Sequence, residues 1–110
     1  MDFAISSTDD GDSTLVTLVG ELDVSTKPDL CEALDALRQA GRDQLVVDLA
    51  ELVFMDSTGI GTLVGYAVEA RGRGGSLRVV NASGMPLRAL QVTGVLELLS
   101  DDDGSGRPSA

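Results

Sequence analysis

Two spacings of apolar residues alternate along this chain. Phe3 and Ile5 alternate with smaller or polar residues, and Leu15 to Val19 forms a second strand-like run. The cluster Thr8-Asp9-Asp10-Gly11-Asp12-Ser13 lies between them, so the pair predicts a β-hairpin with a polar connection. Beyond Gly20 the spacing becomes helical. Ser25 or Thr26 offers an N-cap, and Pro28 falls in the first turn, where its missing N–H costs nothing. Leu30, Leu34 and Leu37 then recur at helical intervals up to Gly41, a natural stop. Cys31 falls on this helix and reads as a small packing residue.

The run Leu45-Val46-Val47-Asp48-Leu49 is almost continuously apolar, which predicts a strand covered on both faces. Ile60, Leu63, Val64, Ala67 and Val68 give the segment from Thr58 to Ala70 a helical period, broken at Gly72 and Gly74-Gly75. Leu77 to Val80 predicts another strand. Asn81-Ala82-Ser83 and Pro86 mark a further helix start, with Leu87, Leu90 and Gln91 inside and Gly94 after it; Val95 to Leu99 predicts a last short strand. The order β-β-α-β-α-β-α-β predicts the α/β class, a single domain over 1–100 with helices packed on a mixed sheet. Residues 101–110, an acidic Gly/Ser/Pro segment with nothing to bury, predict a disordered tail.

Composition narrows the chemistry. With 110 residues the chain suffices for one core, and with 3% aromatics and no Trp that core must be built from Leu, Val, Ile and Ala. The net charge of −10 argues against a nucleic-acid or anionic-membrane surface, which needs clustered Lys and Arg. A single cysteine allows no intramolecular disulfide and no zinc cluster, and the absence of histidine removes His-dependent triads and His metal sites. No catalytic residue, metal or cofactor is therefore expected. No apolar run reaches the length of a membrane span, and Met1-Asp2-Phe3 lacks the basic start of a signal peptide, so the expected location is cytoplasmic.

The densest chemistry lies in Phe54-Met55-Asp56-Ser57-Thr58-Gly59-Ile60-Gly61, where a strand region gives way to a helix. Asp56 or Ser57 can cap that helix, a contribution of about 1 kcal/mol. Gly59, Gly61 and Gly65 inside a helix cost up to about 1 kcal/mol each relative to Ala, so a cap alone does not account for them. A stripe of glycines allows close approach by the sheet or by a partner. Gly59-Ile60-Gly61 lacks the third glycine of a dinucleotide loop, and no phosphate loop with Lys then Ser or Thr is present. A hydrolase built on Ser57 lacks a base: Lys27, the only lysine, has nothing in the sequence that links it to Ser57. Ser57 then reads as a substrate, since a helix N-terminus tolerates the added charge of a phosphate. Asp56 and Asp23 would strengthen the negative field around it.

Val53 to Gly61, the upstream Gly20-Glu21-Leu22-Asp23, and Gly74-Gly75 before Leu77 together resemble the STAS domain family, and more closely the bacterial anti-sigma factor antagonists. The resemblance spans roughly residues 3 to 99. It implies a binding module that captures a serine-kinase anti-sigma factor and so releases a sigma factor. It also implies phosphorylation of Ser57 by that kinase and reversal by a metal-dependent serine phosphatase, with ATP and metal belonging to those partners. Asp23 and Asp56 match acidic positions near the acceptor, and Thr58 matches a neighbouring hydroxyl. With Gly59, Ile60 and Gly61 they form the expected partner-binding surface. Such domains commonly end in a further helix after the last strand, whereas here the acidic tail follows Leu99. The alternative within the same fold is a constitutive interaction or scaffold subunit in a signalling or transport complex, with Ser57 only a cap.

Overall fold

The computed structural model describes residues 2–100. The expected tail over 101–110 lies outside the described residues. Four strands and four helices follow in the order β1 (Ala4–Asp10), β2 (Ser13–Leu22), α1 (Lys27–Gln39), β3 (Gln44–Met55), α2 (Ser57–Gly72), β4 (Ser76–Val80), α3 (Gly84–Thr93) and α4 (Leu96–Ser100). The sheet order is β1-β2-β3-β4; the hairpin pair is antiparallel and the other two pairs are parallel. This is the mixed sheet of the α/β class that the spacing predicts.

The hairpin is tighter than its polar cluster suggests. Asp10 pairs with Ser13, leaving Gly11-Asp12 as a two-residue turn. Gly11 adopts φ 69°, the positive value that a primed turn asks of its first position. Thr8, Asp9 and Asp10 are therefore strand residues, held by backbone pairing despite low β propensity.

Alternate positions of β2, of the first half of β3 and of β4 are buried. Val16, Leu18, Leu45, Val47, Leu49, Leu77 and Val79 point into one cluster with Leu30 and Leu34 of α1, Ile60 and Leu63 of α2, Leu90 of α3 and Leu99 of α4. Val46 and Asp48 are only half-buried, so β3 is not covered equally on both faces. The apolar run there reflects a Val tolerated on a half-buried face, not a second layer.

The expected last strand, Val95 to Leu99, is instead helical. The Leu99 N–H donates to the Val95 carbonyl at 3.1 Å, and Leu99 is fully buried in the core. Periodicity does not separate helix from strand in so short an apolar run. Gly94, with φ 78°, ends α3 in the left-handed conformation and redirects the chain so that α4 packs on α2 and β4.

Two glycines are required by backbone approach. Gly20 has φ 101°, and a Cβ there would stand 2.3 Å from the Asp2 carbonyl oxygen. At Gly75 a Cβ would meet the Asp43 carbonyl oxygen at 2.2 Å, beside the Ser76 N–H to Asp43 carbonyl bond of 2.8 Å that starts the β3–β4 pairing. Gly20→Ala is expected to cost about 1–3 kcal/mol through its positive φ and this contact, measured as a lowered urea midpoint with an unchanged slope.

Candidate functional site

Two register shifts in the β2–β3 ladder shape the site. Thr17 pairs with Asp48 but Val19 with Glu51, and Gly20 pairs with Leu52 but Glu21 with Phe54. Each shift inserts an extra residue into β3, the arrangement of a β-bulge. The ladder then ends on the pair Leu22 and Met55, both fully buried, and the Asp56 N–H donates to the Leu22 carbonyl at 3.2 Å. Asp23 and Asp56 thus leave from adjacent strand ends, although 33 positions separate them in the chain.

Each aspartate organises the turn that follows it. Asp56 is the N-cap of α2, in extended conformation, and its Oδ1 accepts the Gly59 N–H at 2.9 Å. This satisfies one of the amide donors left open at a helix start. Asp23 Oδ1 accepts from the Ser25 hydroxyl at 2.7 Å, the Ser25 N–H at 3.0 Å and the Thr26 N–H at 3.1 Å. These bonds, the Ser25 hydroxyl foremost, hold the Asp23 carboxyl below its ordinary pKa. Thr26 is the N-cap position of α1, but its hydroxyl does not cap the helix. It donates instead to the Glu21 carbonyl at 3.0 Å and accepts the Asp23 N–H at 2.9 Å, tying the loop back to β2.

Ser57 is the first residue of α2 and is exposed, with no hydrogen bond from its hydroxyl among the described residues. Thr58 is half-buried, and its carbonyl accepts from the Thr62 hydroxyl at 2.8 Å. The three glycines do not form one stripe. Successive helical residues turn by about 100°, so Gly61 and Gly65 share a face while Gly59 points elsewhere. Gly59 is buried against β2: a Cβ there would lie 2.8 Å from Leu22 Cγ. Gly61 and Gly65 are exposed, with open space where a Cβ would stand. Ile60 is buried in the core and braces the helix start rather than offering a contact surface.

Gly61 and Gly65 form one wall of a groove of about 620 Å³ between α1 and α2, with Ser57 and Thr58 at its start. Lys27 and Cys31 line it from α1. Cys31 is half-buried there, a free thiol at the groove wall rather than a core residue. A polar network closes the floor. The Tyr66 hydroxyl donates to Asp35 at 2.7 Å, and Arg38 bridges Asp35 at 3.3 Å and Glu69 of the facing helix. Partial burial, with the bond to Asp35, raises the Tyr66 phenol pKa and keeps it protonated as the donor. Neither the groove nor the placing of Lys27 and Ser57 along the same cavity is marked by any motif. Both arise from packing α1 beside α2.

The chain is similar to known proteins in both sequence and fold. Residues 5–100 match the family described as "Mlab, STAS domain". The anti-sigma-B factor antagonist of Bacillus subtilis (strain 168) is 37% identical over 84 residues, 76% of this chain and 76% of that protein. The protein of the same description from Staphylococcus epidermidis is 36% identical over 90 residues, covering 82% of this chain and 83% of that one. Among solved structures, an anti-sigma factor antagonist from Mycobacterium paratuberculosis superposes with a TM-score of 0.80 at 26% identity, covering 89% of this chain and 83% of that one. No helix among the described residues is long and apolar enough to cross a membrane.

The glycines provide a direct check of the divided stripe. Gly59→Ala is expected to destabilise the domain by about 1–3 kcal/mol, because Leu22 must yield. Gly61→Ala is expected to leave stability unchanged or raise it by up to about 1 kcal/mol, since it gains helix propensity in open space. Thermal melts of the two variants read the contrast.

Proposed function

This chain belongs to the STAS domain family, and on that footing we propose that it is an anti-sigma factor antagonist switched by phosphorylation of Ser57. In its unmodified form it binds a serine-kinase anti-sigma factor and thereby frees a sigma factor. Residues 1–100 act as the binding domain, in the cytoplasm. The observation that carries this reading is the exposed, unbonded Ser57 hydroxyl placed directly after the capping Asp56, at the mouth of an open groove. Two relatives above one-third identity described as anti-sigma-B factor antagonists support the choice of partner class.

The chemistry is supplied by the partners. The kinase transfers the γ-phosphoryl group of ATP to Ser57 Oγ, forming the Oγ–P bond and releasing ADP and the hydroxyl proton. A metal-dependent serine phosphatase returns the hydroxyl by adding water across that bond and releasing inorganic phosphate. Phosphorylation adds a charge of about −1.5 to −2. The exposed helix start accommodates this charge within the domain. A partner pressed against Ser57, Thr58 and Gly61 must instead desolvate it, beside Asp56 and Asp23. Contact is lost through like charge and added volume at the interface, with the fold intact.

Ser57→Asp is expected to weaken binding to a serine-kinase anti-sigma factor from the same genome by about 100-fold, about 3 kcal/mol. Its circular-dichroism spectrum and melting temperature are expected to match the unmodified protein. Mass spectrometry after incubation with that kinase and ATP is expected to find phosphate on Ser57 and not on Thr58. Unchanged binding by Ser57→Asp would favour a constitutive scaffold of the same fold.

A further inference from the structure

The groove between α1 and α2 contains two cations, Lys27 and Arg38, and two carboxylates, Asp35 and Glu69. Arg38 is engaged by both carboxylates, and Asp35 also accepts from Tyr66. Lys27 makes no ion pair among the described residues and is exposed. It is the first residue of α1, as Ser57 is of α2. A cation at the positive end of a helix is electrostatically unfavourable. The chain's only lysine therefore occupies a position that its own helix disfavours, with no ion pair among the described residues to compensate.

We propose that Lys27 is the ion-pair partner of the phosphoryl group on Ser57, holding it across the mouth of the groove from the first turn of the neighbouring helix. This rests on Ser57 being the acceptor, as read above. Lys27 and Ser57 line the same cavity, and the bare backbone at Gly61 and Gly65 leaves that cavity open to three added oxygens. A lysine on a flexible four-carbon stem suits a phosphate whose position is set by its ester bond. The other charged groups near the acceptor are already committed: Asp56 to the Gly59 N–H, Asp23 to Ser25 and Thr26, and Arg38 to Asp35 and Glu69. Among the described charged residues lining the groove, Lys27 is the one left free to respond when the charge arrives. The modified protein then presents a fixed, bridged group over the groove rather than a freely rotating one.

Phosphoserine placed at position 57 of the full chain by nonsense suppression, followed by ³¹P NMR titration, tests this directly. The second phosphate pKa is expected to lie about half a unit higher in Lys27→Met than in the parent, about a threefold rise in proton affinity. Lys27→Arg is expected to return it to the parent value, and the difference to shrink in 1 M salt. The same titration curve in parent and Lys27→Met overturns the pairing, whatever the kinase does. Full-strength kinase binding by the phosphoserine-57 protein would instead overturn the switching role of Ser57, and leaves the titration result to stand by itself.

Discussion

The end of the domain where α1 and α2 begin depends on the parallel register of β2 against β3. Because side chains alternate from face to face, a slip of one residue would send the strand ends in the wrong direction. The two bulges in β3 absorb the mismatch between the strands, so that the ladder closes on Leu22 opposite Met55. Both are buried, and their burial fixes the point at which each chain leaves the sheet. Asp23 and Asp56 follow at once, and each ties the next turn to itself by side-chain hydrogen bonds. Gly59 against Leu22 then seats α2 on β2 more closely than any residue with a Cβ would permit.

The groove is a consequence of that seating. Helices α1 and α2 share the core through Leu30, Leu34 and Leu63, which carry most of the energy holding them together. The Arg38 bridges to Asp35 and Glu69 are partly exposed and contribute little stability by themselves. Their role is geometric: with Tyr66 they fix the spacing of the two helices along the groove floor. The open faces of Gly61 and Gly65 keep the upper part free. An exposed serine hydroxyl is thus left at the rim of a groove in which Gly61 and Gly65 leave open space.

Much of this was legible in the chain itself. Leu30, Leu34 and Leu37 give α1, and Ile60, Leu63 and Ala67 give α2, because burial on one face imposes a helical period. Asp56 was readable as a cap because its residue type and the helix start coincide. The rest depends on long-range packing. Val95 to Leu99 has too few residues for its period to show, and only the burial of Leu99 makes it helical. The glycines looked like one stripe in the sequence, yet Gly59 faces the sheet and the other two face the groove. Lys27 and Ser57 come from different crossover connections, so nothing local joins them; the parallel sheet does.

On the proposed reading, charge on Ser57 acts at the surface and leaves the fold alone. Amide hydrogen exchange on the unmodified and Ser57-phosphorylated protein, without partners, tests it most directly. Altered exchange is expected only in the first turns of α1 and α2, with the protection of Leu45, Val47, Leu77 and Val79 unchanged. Loss of protection across those central strand residues would contradict it, because the phosphate would then be acting by unfolding the domain.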